Sequence, residues 1–360
     1  MAAPTTEVLL QALRQVNDPD LERDIVSLNW VHDLASKEGS VWLTLRVLAA
    51  PKDRQELLAQ QVRERLRQTP GVREVHVKLD ATVPGTAAVE GKNAVPGVKN
   101  LIAVGSGKGG VGKTTVAVNV AVALAELGAL VGLMDADVYG PNVPRMLGVQ
   151  EMPRVLEGNR IEPLRGTGVK VMSMGFLNPG DKPVIWRGPM LHSAVQQFLR
   201  NVEWGELDYL IIDMPPGTGD VALTLAQSVP MTGGVVVTTP SDVSLEDARK
   251  ALNMFLQLKI EVLGVVENMS LFVCPHCHES VPIFSHGGGQ KMAEHFGVPF
   301  LGALPLEPAI REGGDSGRPV AAGGWEAPHA RPFYSVARRL AAEANLRAAA
   351  NEESVIQVRA

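Results

Sequence analysis

The N-terminal part of the chain carries two kinds of hydrophobic pattern. Apolar side chains recur at helical spacing over residues 8–16 and again over residues 57–66. Over residues 41–47 and 75–79 apolar and polar side chains alternate, as they do in half-buried strands. These patterns predict a small α+β domain, which we place at residues 1–82.

From Leu101 onwards the pattern changes. Short, continuous apolar runs alternate with helical stretches, which is typical of a parallel sheet covered by helices on both faces. We therefore expect an α/β domain at residues 99–335. The segment before it, residues 83–98, is aperiodic and rich in glycine and proline, as linkers are. The expected strands are LIAVG, LVGLMD, VKVMSMG, YLIID, GVVVTTP, VLGVVENM and FLGALP.

Two further segments, Thr114–Met134 and residues 336–360, have compositions that favour helices. Thr114–Met134 is apolar enough to suggest a membrane span, but Asn119, Glu126 and Gly128 interrupt it. We interpret it as a core helix followed by a strand. Residues 336–360 are rich in alanine and predict a C-terminal surface helix with a frayed tail.

Composition narrows the choice of partners. Of the 360 residues 45% are hydrophobic and 20% are charged, as in an ordinary globular protein, and the net charge is −5. This charge provides no basic field for nucleic acid or for an anionic membrane, so neither is expected as a partner. Gln11, Arg14 and Asn17 interrupt the first apolar run, which argues against a signal peptide and favours a cytoplasmic protein.

A glycine-rich motif predicts a phosphate-binding loop. Gly107–Thr114 fits the pattern G-x-x-x-x-G-K-[ST] and lies between an expected strand and an expected helix. Its backbone amides and the helix N-terminus can surround phosphate oxygens, while Lys113 reaches the β- and γ-phosphates and the Thr114 hydroxyl binds Mg²⁺. The residues expected to bind the nucleotide here are Gly107, Lys108, Gly109, Gly110, Val111, Gly112, Lys113, Thr114 and Thr115.

Three acidic residues follow expected strands, where ligands bind in open α/β sheets. Asp213 is the expected second Mg²⁺ ligand, and Asp135 or Asp137 is expected to orient the attacking water. Helix capping is an alternative role for any one of these carboxylates. The tetrapeptide NKxD, with which G proteins recognise guanine, is absent from the sequence, which favours ATP over GTP.

Lys108 is a second lysine in the loop, and a P-loop needs only one. The segment GKGGVGKTT resembles the deviant Walker A motif of the dimeric ATPases that include nitrogenase iron protein, septum-site regulators and partition ATPases. In that class the extra lysine reaches the nucleotide of the partner subunit. The resemblance implies a catalytic role for Lys108 and a homodimer that closes around ATP.

Cys274 and Cys277 are the only cysteines in the chain and form a CxxC pair, which is half of a soft-metal site. In a two-fold dimer two such pairs supply four thiolates, which suits a [4Fe–4S] cluster or Zn²⁺. Within one chain the alternatives are zinc with His276 and His278, zinc completed by His286, and a redox pair. The letters CPHCH also match a haem-attachment motif.

The wider sequence resembles the Mrp/ApbC family of iron–sulfur cluster carriers. The motifs GSGKGGVGKTT, DADVYGPNVP, IIDMPPGTGD, ENMSLFVCPHC and LGALPLEPAIREGGDSGRPV carry this resemblance. It implies a P-loop ATPase in which Cys274 and Cys277 bridge a [4Fe–4S] cluster between two chains. It also implies that Asn268 contacts the adenine and that the segment around Pro305 lines the base.

The N-terminal domain resembles, through NDPDLERDIVSLNWV, a small iron–sulfur assembly domain of the MIP18 type that is often fused in front of such carriers. Ala49 and Ala50 stand where that family often has a cysteine, so we expect this domain to dock partners. The whole chain is expected to hydrolyse ATP, to receive a cluster from scaffold proteins and to pass it to apo-proteins. The alternatives are a partition- or positioning-type ATPase and an ATPase with a structural zinc at the CxxC pair.

Overall fold

The computed structural model describes residues 4–89, 91–177, 188–217, 219–274, 276–277 and 279–356, with side chains up to residue 350. The chain divides into two units. Residues 1–84 and 341–360 form the first, and residues 85–340 form the second. None of the helices in these described ranges is long and apolar enough to cross a bilayer.

The first unit places two helices beside a three-stranded sheet with the order β3-β4-β5, in which β3 is antiparallel and β5 parallel to β4. The alternating apolar residues of β4 are buried in its core together with those of both helices. This arrangement confirms the small α+β fold. The elements are α1 (Thr6–Leu13), β1 (Asn17–Asp18), β2 (Arg23–Asp24), β3 (Val31–Lys37), β4 (Ser40–Arg46), α2 (Lys52–Arg67) and β5 (Glu74–Asp80).

The strand β3 was not predicted. A register irregularity between His32 and Ala35 interrupts its pairing with β4, and no residue of the strand is fully buried. The sequence of this strand, VHDLASK, does not alternate between apolar and polar residues, and such alternation is the signal that sequence reasoning uses.

The second unit is built on an eight-stranded sheet with the order β15-β12-β11-β6-β10-β7-β9-β8. Its strand pairs are parallel except for the pair of β8 and β9 at one edge, and helices pack on the sheet, which confirms the P-loop α/β fold. The eight strands of this sheet are β6 (Val98–Gly105), β7 (Val131–Asp135), β8 (Leu164–Gly166), β9 (Val169–Ser173), β10 (Leu207–Asp213), β11 (Gly233–Thr238), β12 (Val262–Glu267) and β15 (Phe300–Ala303). Strands β13 (Phe272–Val273) and β14 (Ser280–Val281) form a separate two-stranded sheet.

Each predicted strand of this unit is present, and helices lie between the strands as expected. The segment Thr114–Met134 is a buried helix followed by β7. The helices are α3 (Lys113–Glu126), α4 (Val143–Met146), α5 (Gly188–Asn201), α6 (Asp220–Ser228), α7 (Asp242–Gln257), α8 (Gly288–Phe296), α9 (Pro308–Asp315) and α10 (Arg331–Ile356), with 3₁₀ turns at Glu157–Asn159, Met174–Leu177 and Val320–Gly323.

The expectation of a surface helix at the C-terminus was wrong. Helix α10 begins at Arg331, and Ala337 and Leu340 are buried, as are the alanines that follow up to Ala348. In the first unit the Asn345 side chain donates a buried hydrogen bond to the Leu28 carbonyl at 3.1 Å. Alanine-rich sequence looks like solvated helix, yet small side chains also allow a helix to pack closely.

The segment before β6 is irregular and lies along the second unit. The Thr86 amide donates to the Lys99 carbonyl at 2.8 Å, and the Thr86 hydroxyl lies 3.3 Å from the Asn100 side-chain oxygen. Val95 is buried in the main core. Thr86 and Val95, which both belong to the expected linker, are therefore held by contacts within the second unit.

Candidate functional site

The glycine-rich loop joins β6 to α3 at the carboxyl end of the sheet. Gly110 and Gly112 have φ angles of +84° and +81°, a region that favours glycine, and Gly112 immediately precedes the first turn of α3. A β-carbon on Gly107 would lie 2.0 Å from the backbone carbonyl of Asp247 in α7. The loop is therefore pressed against α7 at Gly107, where space requires a glycine, while Gly110 and Gly112 are favoured by their backbone conformation.

Lys113, Thr114 and Asp213 form one buried hydrogen-bonded group. The Lys113 ammonium donates to one Asp213 oxygen at 2.6 Å, and the Thr114 hydroxyl donates to the other at 2.7 Å. The three residues come from the start of α3 and the end of β10, which the parallel pairing of β10 and β6 brings together. A carboxylate and a hydroxyl side by side are hard oxygen ligands of the kind that Mg²⁺ prefers, so these residues fit the predicted magnesium site.

Burial has the largest effect on the pKa values of the acidic residues at this site. It raises the pKa of Asp213, although the neighbouring Lys113 acts in the opposite direction. Burial, and next the charge of Asp213, raise the pKa of Asp135 to about 8, against an ordinary value of about 3.9. The same low-dielectric surroundings strengthen the attraction between Lys113 and an anionic ligand.

The two acids of the DAD motif differ in their surroundings. Asp137 lies 3.9 Å from the Lys113 ammonium, and one of its oxygens accepts hydrogen bonds from the amides of Tyr139 and Gly140. Asp135 is fully buried and accepts a hydrogen bond from the Ser173 hydroxyl at 2.8 Å. Asp137 is therefore the acid on the open side of the site. Ser173 was not predicted, although its position at the end of β9 matches the position of the acids on their strands.

A cavity of about 420 Å³ opens beside the loop. Four of the predicted nucleotide-binding residues line it together, namely Thr114, Thr115, Asn268 and Pro305. The Asn268 amide also donates to the Val111 carbonyl at 2.9 Å, which ties the end of β12 to the glycine-rich loop. Lining residues that sequence reasoning did not name individually are Asn142, Arg145 and Met146 in or just before α4, Met269 after β12, and Leu306, Glu307, Ile310, Arg311, Gly314 and Asp315 in or just before α9.

Lys108 is half-buried on the outer part of the loop, and its carbonyl accepts a hydrogen bond from Ser106 at 3.0 Å. Its charge acts on Asp247 in α7. Lys250, which donates to Asp247 at 2.8 Å, lowers the pKa of Asp247, and Lys108 contributes in the same direction. The second lysine of the loop is therefore associated with α7.

The two cysteines lie at the tip of a short hairpin. Strands β13 and β14 pair antiparallel, and the Cys274 amide donates to the Glu279 carbonyl at 3.0 Å. Cys274 is half-buried and Cys277 is exposed, while Pro275 and His278 lie outside the described residues. The backbone amides of Cys277 and His276 lower the pKa of the Cys274 thiol, which favours the thiolate that binds metal.

The hairpin offers two sulfur ligands and, within the described residues, no third one. No group of three or more His, Cys, Asp or Glu side chains in that part of the chain is placed to hold a metal ion. His286, the proposed completing ligand for zinc, lies 2.7 Å from the Ser270 hydroxyl and 3.6 Å from Glu267 instead. The suggestion that His286 completes a zinc site with the cysteines was therefore wrong.

The hairpin is joined to the wall of the nucleotide cavity by the backbone. The Ser270 amide donates to the Leu304 carbonyl at 2.9 Å, and the Leu306 amide donates to the Leu271 carbonyl at 2.8 Å. Leu306 also forms a bridge with Phe272, which lies two residues before Cys274. Since Leu306 lines the cavity, only a short stretch of chain separates the two sites.

Two family models match the chain. The first, described as a NUBPL iron-transfer P-loop NTPase of the ParA group, matches residues 97–341. The second, described as an iron–sulfur cluster assembly protein, matches residues 6–90. Together they account for both units of the chain.

Relatives match over almost the whole length. The iron–sulfur cluster carrier protein of Synechocystis sp. is 48% identical over 96% of this chain and 99% of that protein. The protein of the same name from Deinococcus radiodurans is 48% identical over 95% of this chain and 96% of its own length. Among solved structures, the nucleotide-binding protein of Archaeoglobus fulgidus in complex with ADP is 38% identical with a TM-score of 0.55, covering 62% of this chain and 88% of that one.

Proposed function

This chain belongs to the NUBPL-type family of iron-transfer P-loop NTPases, and from that premise we propose that it is an ATP-hydrolysing carrier of iron–sulfur clusters. In this proposal a [4Fe–4S] cluster is held between two copies of the chain and is passed to apo-proteins. The observation that carries the proposal is the pair formed by the half-buried Cys274 and the exposed Cys277, which the described residues leave as half of a coordination shell.

A second copy of the chain is the simplest source of the missing ligands. Two-fold symmetry places a surface patch against its own copy, so that two CxxC pairs supply the four thiolates of a cubane cluster. The hairpin and the residues after it also expose four large apolar side chains, which favour burial against a partner. These are Val273, Val281, Ile283 and Phe284.

The nucleotide site has a distinct role for each predicted residue. Lys113, Lys108 and the loop amides bind the triphosphate, and Thr114 with Asp213 holds Mg²⁺, which neutralises phosphate charge when it is bound. The base occupies the cavity beside Asn268 and Pro305; the related protein of Archaeoglobus fulgidus was solved with ADP. Asp137 orients the attacking water because it lies on the open side of the site next to Lys113.

Asp135 holds the backbone at Asp137 through a hydrogen bond. Its carboxylate is fully buried and accepts a hydrogen bond from the Asp137 backbone amide at 3.1 Å. A carboxylate in this position acts on the loop that carries Asp137 and has no access to a water beside the phosphates.

The partners of the carrier follow from its cargo. Scaffold proteins donate the cluster and apo-proteins accept it, in the cytoplasm. The first unit, which matches the iron–sulfur assembly family, has Ala49 and Ala50 before α2 and therefore no thiol there. We assign this unit to partner docking.

Anaerobic reconstitution with iron and sulfide tests the proposal. We expect the wild-type chain to become a brown dimer with about four iron and four sulfide ions per two chains, measured by metal and sulfide analysis together with light scattering. Cys274→Ala should remain colourless, because it removes half of the thiolates. His276→Ala, in the same hairpin, is the matched control and should keep the cluster.

Three results would contradict the proposal. The first is a wild-type protein that stays monomeric and colourless after reconstitution. The second is a cluster held by a single chain, and the third is anaerobically purified protein that contains zinc and no iron. Loss of the cluster in His276→Ala would instead add a histidine to the ligand set.

A further inference from the structure

Asp135 and Ser173 form a buried contact between the ends of two neighbouring strands. Strands β7 and β9 pair in parallel, with Asp135 opposite Ser173, and both side chains are fully buried. The Ser173 hydroxyl donates to Asp135 at 2.8 Å and accepts a hydrogen bond from the Gly175 amide at 3.0 Å. The Ser173 hydroxyl therefore links the Asp135 side chain to the backbone of the turn after β9.

The same carboxylate holds both ends of the loop that carries Asp137. One oxygen accepts from the Asp137 amide at 3.1 Å. The other oxygen, which Ser173 contacts, also accepts from the Val143 amide at 3.3 Å, where α4 begins. The loop between these two amides therefore depends on the orientation of a single carboxylate.

The turn after β9 also touches this loop. A β-carbon on Gly175 would lie 3.2 Å from Pro141, so the backbone there is in close contact with the middle of the loop. The Ser173 hydroxyl lies at the same distance from that position. Ser173 thus combines a hydrogen bond to the carboxylate with a turn that packs against the loop.

We infer that Ser173 is a positioning residue for ATP hydrolysis, which acts through Asp135 to hold the Asp137 loop in its working geometry. The inference rests on the proposed role of Asp137 in orienting water. It deepens that role, since within the described chain the Ser173 hydroxyl forms hydrogen bonds with Asp135 and Gly175 and with neither Lys113 nor a residue that lines the cavity. A hydroxyl that served only the stability of the sheet would leave the hydrolysis step unchanged.

The variant Ser173→Ala separates these roles. We expect kcat for ATP to fall about tenfold, which corresponds to about 1.4 kcal/mol, while KM for ATP stays within about threefold. The fall in kcat arises because Asp137 loses its fixed position. KM is preserved because the glycine-rich loop and Asn268 do not depend on Ser173.

Ser244→Ala is the matched control. Ser244 is equally buried, and its hydroxyl has no hydrogen-bond partner among the described residues. Its removal should leave kcat and KM unchanged. Hydrogen exchange gives a readout that is independent of activity: the amides of Asp137 and Val143 should exchange about tenfold faster in Ser173→Ala and at the wild-type rate in Ser244→Ala.

A double-mutant cycle with Asp135→Asn tests the route of the effect. If Ser173 acts through Asp135, adding Ser173→Ala to Asp135→Asn should change kcat by less than about twofold. Additive losses, or a kcat for Ser173→Ala within twofold of wild type, would overturn the inference. A wild-type protein without ATP hydrolysis would instead refute the proposed function, so the two failures are distinguishable.

Discussion

Asp135 and Asp213 stand opposite each other at the ends of paired strands, which places two carboxylates in one buried region. Of these two carboxylates, it is Asp213 that accepts a hydrogen bond from the Lys113 ammonium, at 2.6 Å. One positive charge for two buried carboxylates favours a protonated Asp135, and this agrees with its raised pKa of about 8. The neutral acid still accepts hydrogen bonds, so its contacts with the loop do not require a charge.

This raised pKa predicts how stability depends on pH. Between the unfolded pKa of about 3.9 and the folded pKa of about 8, the folded chain binds a proton at Asp135 that the unfolded chain has released. The free energy of unfolding therefore decreases as pH rises through this window, by at most about 1.4 kcal/mol per pH unit, and the decrease ends above pH 8.

Asp135→Asn removes this titration. Urea unfolding of the nucleotide-free protein between pH 5 and 8.5 should show the wild type losing stability relative to Asp135→Asn as pH increases, with a constant difference above about pH 8. A difference that is constant over the whole range would show that Asp135 is already ionised at pH 5. Comparing the two proteins cancels the titration of groups that they share.

At the scale of elements, α7 leaves no room for a side chain at one position of the glycine-rich loop. A β-carbon on Gly107 would meet the Asp247 carbonyl at 2.0 Å, and backbone atoms of a helix cannot move aside as a side chain can. A β-carbon on Gly109 would have only Pro216 within reach, at 4.0 Å. The two glycines are close in sequence and differ completely in available space.

Gly107→Ala should therefore displace the loop from α7 and weaken ATP binding by at least about tenfold, measured by calorimetry with Mg-ATP. Gly109→Ala is the matched control and should bind ATP within about threefold of wild type. Equal affinities for the two variants would show that the loop and α7 separate without cost.

Much of this arrangement is predictable from sequence because its signals are local. The glycine-rich loop, Lys113 and the acids after the strands belong to short motifs, and parallel strands necessarily bring their carboxyl ends to one edge. The hairpin around Cys274 was not predicted, since strands of two residues carry no periodic pattern. Ser173 was missed because its partner lies 38 positions away along the chain.

At the scale of the whole molecule, the question is how hydrolysis at one site affects cargo at another. Only a short stretch of chain separates the nucleotide site from the cysteine pair. The Asn268 side chain is hydrogen-bonded to the glycine-rich loop, and the Leu271 carbonyl is hydrogen-bonded to Leu306 in the cavity wall. A nucleotide that displaces either contact changes the geometry of the segment leading to Cys274. Such coupling between two sites is typically worth 1–3 kcal/mol.

Thiol reactivity measures this coupling directly, because Cys274 and Cys277 are the only cysteines in the chain. We expect saturating Mg-ATP to change the labelling rate of Cys274 in the apo-protein about fivefold or more, followed by mass spectrometry with Cys277 as an internal reference. Lys113→Ala, which removes the proposed phosphate ligand, should show the same rate with and without ATP. Identical rates for the wild type with and without ATP would mean that the contacts of Asn268 and Leu306 are rigid supports, and that the cluster responds to nucleotide only through the second copy of the chain.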